Sequence, residues 1–312
     1  MRAAQIHTYG DKDAVTLTDI PKITSPEGTV VVKVFAAGVN PIDWKIRSGH
    51  MAEMMPLTLP VTLGLDFSGI VVEIGEGVEN FSLKDEVYGQ AGIIAGGSGS
   101  FAEFARTPSK NIAIKPKTAN HLESASLPLA GVSAVQGLLE HIKLQRGQKI
   151  LIHGGAGGIG SFAIELAHYI GTEVYTTAHN EDAEYLKKLG ADHVIDHRVQ
   201  KFEDVVKGCD AVLDTVGGQT YMRSFGVLKK GGTIVSLLEA PNDVLMEQYG
   251  VTAISQFTQI TTKRLERLAE LVDLNVTKVH IDKVFPLEEA AEALDYLQNR
   301  HQHGKVVLHI QD

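Results

Sequence analysis

Gly155, Gly157 and Gly160 stand in G-x-G-x-x-G spacing inside the run His153-Gly154-Gly155-Ala156-Gly157-Gly158-Ile159-Gly160. Glycines at that spacing remove side chains that would hold an anion away from backbone N–H groups, and a following helix adds the partial positive charge of its N-terminus. The chemistry this suits is the pyrophosphate of a dinucleotide. The spacing alone is weak. It gains meaning from an apolar strand pattern, Lys149–His153, before it and a helical period, Gly158–Ile170, after it. We therefore expect Gly155, Ala156, Gly157, Gly158, Ile159 and Gly160 at the phosphates.

The end of the next strand decides which dinucleotide fits. An acid about 20 residues beyond the motif usually holds the 2′-hydroxyl of NAD. Here the strand ends Thr177-Ala178-His179-Asn180 with no acid at its tip. Glu181 and Asp182 follow, in the first turn of a helix that Asn180 would cap. The missing acid favours NADP. With no Arg or Lys in this stretch, His179 and Asn180 are left to meet a 2′-phosphate.

Other candidates carry less. Cys209 reads as a small structural side chain rather than a nucleophile. His301-Gln302-His303 reads as a solvated loop beside Gly304, and no metal site is expected. No Tyr-x-x-x-Lys pair, G-x-S-x-G elbow or G-x-x-x-x-G-K-[ST] loop occurs, so short-chain reductase, hydrolase and nucleoside-triphosphatase readings lack their central residues.

The elements that must position these residues fall into two patterns. The first 115 or so residues are β-rich, with strands expected at 29–37, 67–74 and 101–105. The glycine-rich stretch from Gly89 to Ser100 reads as a mobile surface loop, a lid over a site being the alternative. From His121 onward, strands at 149–153, 173–178, 193–196, 210–214 and 233–238 alternate with helical periods at 158–170, 181–189, 199–206 and 219–228. Strands that apolar, joined by helix-length crossovers, imply a parallel sheet covered on both faces. Gly171, Gly190 and Gly208 are expected just past helix ends. The tail offers a strand at 251–257, an amphipathic helix at 261–274, then strand, helix and strand at 276–285, 287–297 and 305–310.

Composition bounds the rest. The chain has 312 residues, 44% hydrophobic and 21% charged, enough to bury a sizeable core. Its 29 Lys and Arg against 38 Asp and Glu leave a formal charge of −9, which argues against nucleic acid or an anionic membrane as main partner. A single cysteine excludes an internal disulfide and any zinc site needing two thiolates. No secretory h-region and no clean membrane span are visible, so a cytoplasmic protein is expected.

Beyond the glycine motif, the chain resembles a known family, the zinc-free branch of the medium-chain dehydrogenase/reductases, or quinone oxidoreductase-like proteins. The resemblance runs essentially its full length. It is carried by Gly38-Val39-Asn40-Pro41-Ile42-Asp43-Trp44-Lys45, by Gly64-Leu65-Asp66-Phe67-Ser68-Gly69 with Gly75 and Val78, and by Gly99-Ser100-Phe101-Ala102-Glu103-Phe104. Leu127-Pro128-Leu129-Ala130-Gly131-Val132-Ser133-Ala134, Asp214-Thr215-Val216-Gly217-Gly218 and Gly304-Lys305-Val306-Val307-Leu308 complete it. Zinc members carry a ligand Cys where this chain has Asn40 and a ligand His where it has Leu65. Neither replacement can give Zn²⁺ a thiolate or an imidazole.

The resemblance implies an α/β protein: a GroES-like β domain plus a Rossmann domain with a doubly wound parallel sheet. The boundaries expected are 1–120 for the first, 121–274 for the second, and 275–312 for a return to the first. It implies zinc-independent hydride transfer from NADPH to quinones or α,β-unsaturated carbonyls. An enoyl-thioester reductase and a non-catalytic NADPH-binding protein are the alternatives. Asn40, Asp43 and Lys45 are implied at the catalytic end. Ser133, Asp214, Thr215, Val216, Gly217 and Lys305 are implied at the cofactor, each with an ordinary structural alternative that sequence leaves open. A small carbonyl or quinone substrate and a homodimer through the 251–257 strand are the partners expected.

Overall fold

Val30, Val32 and Val34, then Ala37 and Val39, point into one core from the strand Thr29–Val39. The parity changes from even to odd because a register irregularity falls between Val34 and Ala36, where an extra residue restores the same face to the interior. This strand is central to a 7-stranded sheet. Its spatial order is Ile281–Pro286, Lys305–His309, Thr29–Val39, Asp66–Ile74, Glu86–Gln90 and Ile112–Ile114, with Phe104–Pro108 also pairing to Thr29–Val39. A 3-stranded sheet of Val15–Asp19, Arg2–Ile6 and Val61–Thr62 accompanies it.

The computed structural model describes residues 1–312, and its contacts divide them into two units. The first comprises residues 1–129, 260–274 and 279–312; the second comprises 130–259 and 275–278. The expected boundaries at 120 and 274 move accordingly. The helix His121–Ala125 joins the first unit because Ala125 packs with Ala36 and Val307, and a Cβ on Gly38 would lie 2.3 Å from the Ala125 carbonyl. The amphipathic helix Thr262–Asp273 joins it by burying Leu265, Leu268, Leu271 and Val272. Two contacts staple that helix there: the Tyr88 hydroxyl donates to Leu265 O, and Thr118 donates to Asp273 at 2.9 Å through both N–H and Oγ1.

In the second unit, six parallel strands run in the order His193–Asp196, Glu173–Ala178, Lys149–His153, Cys209–Asp214, Leu228–Ser236 and Thr252–Ser255. The chain winds one way from Lys149–His153 and then back to its other side, so the order reverses between Lys149–His153 and Cys209–Asp214. Loops beyond the carboxyl ends of those two strands diverge there. The helix Gly158–Ile170 ends at Gly171 and Ala183–Leu189 at Gly190, both with positive φ. Gly208 is not such a stop, since the short helix Phe202–Val205 ends three residues before it.

Two loop expectations change. The stretch from Gly89 to Ser100 packs against its neighbours rather than standing free. Its backbone is tied by Gly97 N–H to Gly92 O, Ser98 N–H to Arg106 O, Gly99 N–H to Ala91 O and Ser100 N–H to Gly64 O. A Cβ on Gly97 or Gly99 would lie 2.1 or 2.3 Å from a carbonyl oxygen, so these glycines serve close packing. The strand expected at 101–105 begins instead at Phe104, because Ala102 bridges Ala3 and Glu103 is drawn to Arg2. Cys209 is fully buried, and burial pushes its thiol up to about 12, which removes it from nucleophilic chemistry. No helix is long and apolar enough to cross a membrane.

Candidate functional site

The buried strand Lys149–His153 runs into Gly154, whose φ of +72° only glycine adopts readily. The three motif glycines are then required for different reasons. A Cβ on Gly155 would lie 2.1 Å from Thr176 Oγ1, and one on Gly160 would lie 2.2 Å from Gly154 O, so both let the helix start close against the strands. Gly157 differs. Its φ of −72° suits any residue, and the nearest atom to an added Cβ is 3.4 Å away. Nothing inside the protein needs a glycine there. The space there is open, beside first-turn N–H groups of Gly158–Ile170 that no side chain caps. A pyrophosphate fits such a cradle.

At the end of the adjacent strand, Asn180 does not cap a helix with its side chain. The turn Asn180–Asp182 starts from His179, whose N–H donates to Asp182 at 3.1 Å. Parallel pairing of Ala178 with Asp196 brings a residue that the local sequence search missed. Arg198 lies 3.5 Å from Glu181 and 3.1 Å from Asp196, and His179 lies 3.2 Å from the same Glu181 oxygen. The Arg198 guanidinium holds the Asp196 carboxyl down to about 2. His197 adds a ring whose centroid is 5.1 Å from that of His179. A basic group therefore does stand at the strand tip, supplied by the neighbouring strand two residues past its end.

The loop after Cys209–Asp214 is organised from within. Asp214 is fully buried and accepts from the N–H groups of Val216 and Gly217, both at 3.0 Å, and from Ser236 Oγ at 2.7 Å. It shapes the turn, with both carboxylate oxygens accepting from within the protein. Thr215 donates to His153 O at 2.8 Å, while Val216 is half-exposed at the tip. Gly217 has a φ of +75°. Ser133 is buried with its hydroxyl 2.7 Å from Thr258 Oγ1, and Gln256 Nε2 donates to its carbonyl at 3.0 Å.

In the first unit, Asn40, Asp43, Asp66 and Lys305 form a buried polar cluster. Lys305 donates to Val39 O at 3.1 Å and to Asn40 Oδ1 at 2.5 Å; Asn40 Nδ2 donates to Asp66 Oδ2 at 2.9 Å. Asp66 also accepts from Gln90 Nε2 at 2.9 Å and from Leu129 N–H at 3.0 Å. Burial pulls the Lys305 ammonium down and the Asp66 carboxyl up, each opposed by the other's charge. Asp43 has weaker support. One oxygen accepts from Asn40 N–H at 2.7 Å and the other has no partner. Burial pushes it up to about 8.

Of the residues expected at the catalytic end, Asn40 has its amide committed at both ends and Asp43 is fully enclosed. Lys45 alone stays partly exposed, with its ammonium 5.8 Å from the Trp44 ring centroid. Lys305, expected at the cofactor, has its ammonium buried on Val39 and Asn40. The signal that would have found this was the pair Asp66 and Lys305, each alone in an apolar strand. A charge there must meet its opposite.

Residues 26–117 match the alcohol dehydrogenase GroES-like domain, and residues 189–308 match the zinc-binding dehydrogenase family. A 2-methylene-furan-3-one reductase of Solanum lycopersicum is 34% identical across 99% of this chain and 79% of its own length. A chloroplastic NADPH-dependent alkenal/one oxidoreductase of Arabidopsis thaliana is 32% identical over the same shares, 99% and 79%. The solved quinone oxidoreductase of Coxiella burnetii is 35% identical, with a TM-score of 0.92 over 100% of this chain and 99% of that one.

Proposed function

Because this chain belongs to the medium-chain dehydrogenase/reductases and is quinone oxidoreductase-like, we propose that it is an oxidoreductase passing hydride from NADPH to quinones or α,β-unsaturated carbonyls without zinc. The open cradle at Gly157 carries the cofactor part of this reading. Arg198 and His179 at the strand tip favour a 2′-phosphate over a bare hydroxyl. Zinc independence is supported by the two positions where zinc members keep ligands. Asn40 Oδ1 already accepts a hydrogen bond from the Lys305 ammonium, and Leu65 packs into the core. The match to a zinc-binding family covers neither residue, since it begins at 189.

NADPH held at the glycine loop would supply the hydride that reduces a quinone or the β-carbon of an enone. The residues of this chain bind and orient. The glycine loop fixes the phosphates, and the 214–217 turn, held by Asp214, presents Thr215 and Val216. Lys45, partly exposed just past the Asn40 turn, is a cation of the first unit whose chemistry suits an oxyanion. Solvent then protonates the α-carbon, since Asp43, the acid of the cluster that keeps a proton, is fully enclosed. Positioning supplies much of the rate.

The test is loss of reduced-nicotinamide absorbance with NADPH and a panel of quinones, enones and enoyl thioesters, with and without a chelator. Turnover of quinones or enones that survives chelation is expected. Turnover of thioesters alone would reassign the substrate class, tight NADPH binding with no turnover would make this a binding protein, and loss on chelation would overturn zinc independence. We further place the protein in the cytoplasm as a homodimer, paired through the edge strand Thr252–Ser255, beside which Phe257 is 76% exposed. Sedimentation showing only monomer at micromolar concentration would refute that pairing.

A further inference from the structure

One buried side chain of the second unit has no part in the mechanism above. His153 ends the strand before the glycine loop and is fully buried, yet both ring nitrogens are hydrogen-bonded: Nδ1 to Thr177 Oγ1 at 3.0 Å and Nε2 to Ser224 Oγ at 2.9 Å. The proton positions follow from the partners. Ser224 spends its single hydroxyl proton on Thr220 O at 2.7 Å, so it must accept from His153 Nε2–H. The neutral ring is then bare at Nδ1, and Thr177 must donate to it. Thr177 Oγ1 in turn accepts from Gly154 N–H at 3.3 Å. The result is one directed chain, from Gly154 through Thr177, His153 and Ser224 to Thr220. Such chains polarise one another in a low-dielectric interior. Burial holds the ring neutral by pushing its pKa down to about 3, so no physiological proton interrupts it.

The chain of bonds joins the loops that must cooperate. Thr177 lies at the end of Glu173–Ala178, and its carbonyl accepts from Gly155 N–H at 3.1 Å. The carbonyl of His153 accepts from Thr215 Oγ1 at 2.8 Å, and a Cβ on Gly154 would lie 2.6 Å from that same oxygen. His153 is thus where the glycine loop, the end of the neighbouring strand and the Asp214–Gly217 turn are tied together.

We propose that His153 is a positioning residue for the dinucleotide, acting through Thr177 to hold the Gly154 amide inward and so to set the loop from which the uncapped first-turn amides of Gly158–Ile170 face the phosphates. The inference rests on the NADPH-binding reading above, and its test separates the two. NADPH dissociation constants are measured by fluorescence titration for the wild type, Thr177→Val, Thr177→Ser, His153→Asn and His153→Gln, each checked first by thermal melting. Thr177→Val keeps shape and removes the hydroxyl, so affinity should fall about tenfold, the worth of one hydrogen bond; Thr177→Ser should restore it. Asparagine can imitate Nδ1 and keep the Thr177 link, whereas glutamine can imitate only Nε2. His153→Asn should therefore stay within a few fold of wild type, and His153→Gln should lose as much as Thr177→Val.

Equal losses in the two His153 variants, or wild-type affinity in folded Thr177→Val, would overturn the proposal. If Thr177→Val fails to fold, His153→Gln against His153→Asn decides alone. A wild type that binds no NADPH would refute the functional reading and this inference with it. Nitrogen NMR adds a readout that bulk packing would not move: His153 should hold the neutral Nε2–H form from about pH 5.5 to pH 8. The Nδ1–H form, or titration near the ordinary value, would also refute it.

Discussion

Replacing Gly157 by Asp should leave the fold intact and remove cofactor binding. The backbone at 157 has φ −72° and ψ 169°, ordinary for an N-cap, and the nearest atom to an added Cβ is 3.4 Å away. Asp is a favoured N-cap, so helix Gly158–Ile170 should be unchanged or stabilised by a few tenths of a kcal/mol. The same carboxylate would stand where a phosphate must lie. Two unit charges about 5 Å apart at an effective dielectric of about 20 repel by roughly 3 kcal/mol, about a hundredfold in affinity. Gly160→Ala supplies the contrast. Its Cβ would lie 2.2 Å from Gly154 O, so overpacking should cost about 1–3 kcal/mol or more of stability. Thermal melts and NADPH titration on both variants separate the roles. A folded Gly157→Asp protein that binds NADPH as the wild type does would remove this loop from the argument, and so would one that melts as early as Gly160→Ala.

Three further outcomes follow from the geometry. Arg198→Leu should weaken NADPH by about 2 kcal/mol, roughly thirtyfold, through loss of a charge-assisted contact; NADH should change little, and parallel titrations with both cofactors check this. Lys305→Met leaves Asp66 buried without its cation and should cost about 3–5 kcal/mol, read from the urea midpoint, with Asp66→Asn recovering part of the loss. Asp43 is raised from 3.8 to about 8, so the folded state keeps a proton that the unfolded chain releases between those values. Stability should therefore fall as pH rises from about 4 to about 8, by at most about 1.4 kcal/mol per unit from this group, and Asp43→Asn should flatten that slope in denaturant titrations.

The second unit was legible in the sequence wherever the information is local. The edges of Lys149–His153, Gly158–Ile170, Glu173–Ala178 and His193–Asp196 are set by glycines and by the switch between two periodicities, and all four elements occur as expected. The helix Asp243–Tyr249 was not foreseen, because it is only 7 residues long and buries none of them fully, Leu245 and Met246 packing on the core only in part. Arg198 was invisible for another reason: its place beside His179 depends on the parallel register of Ala178 with Asp196, a pairing that spans a whole helix. The first unit was legible as β-rich, but not its polar interior. Asn40 and Asp43 look like surface turn residues until Asp66 and Lys305 are brought beside them from distant strands. The stretch from Gly89 to Ser100 looked loose because glycine signals freedom in a sequence, whereas here it permits backbone contact at distances no side chain allows.

The tie between Asn40 and Lys305 spans 265 residues, and this sets an order on synthesis. A ribosome delivers the Asn40 turn and the Asp66 strand before the second unit's 130–259 and 275–278, and Lys305 only after them. The second unit can close its parallel sheet while the first still waits for its cation. A nascent chain halted short of Lys305 holds Asp66 with no ammonium to meet it. The first unit is thus completed only after the second has been made, and the strand Lys305–His309 is what completes it.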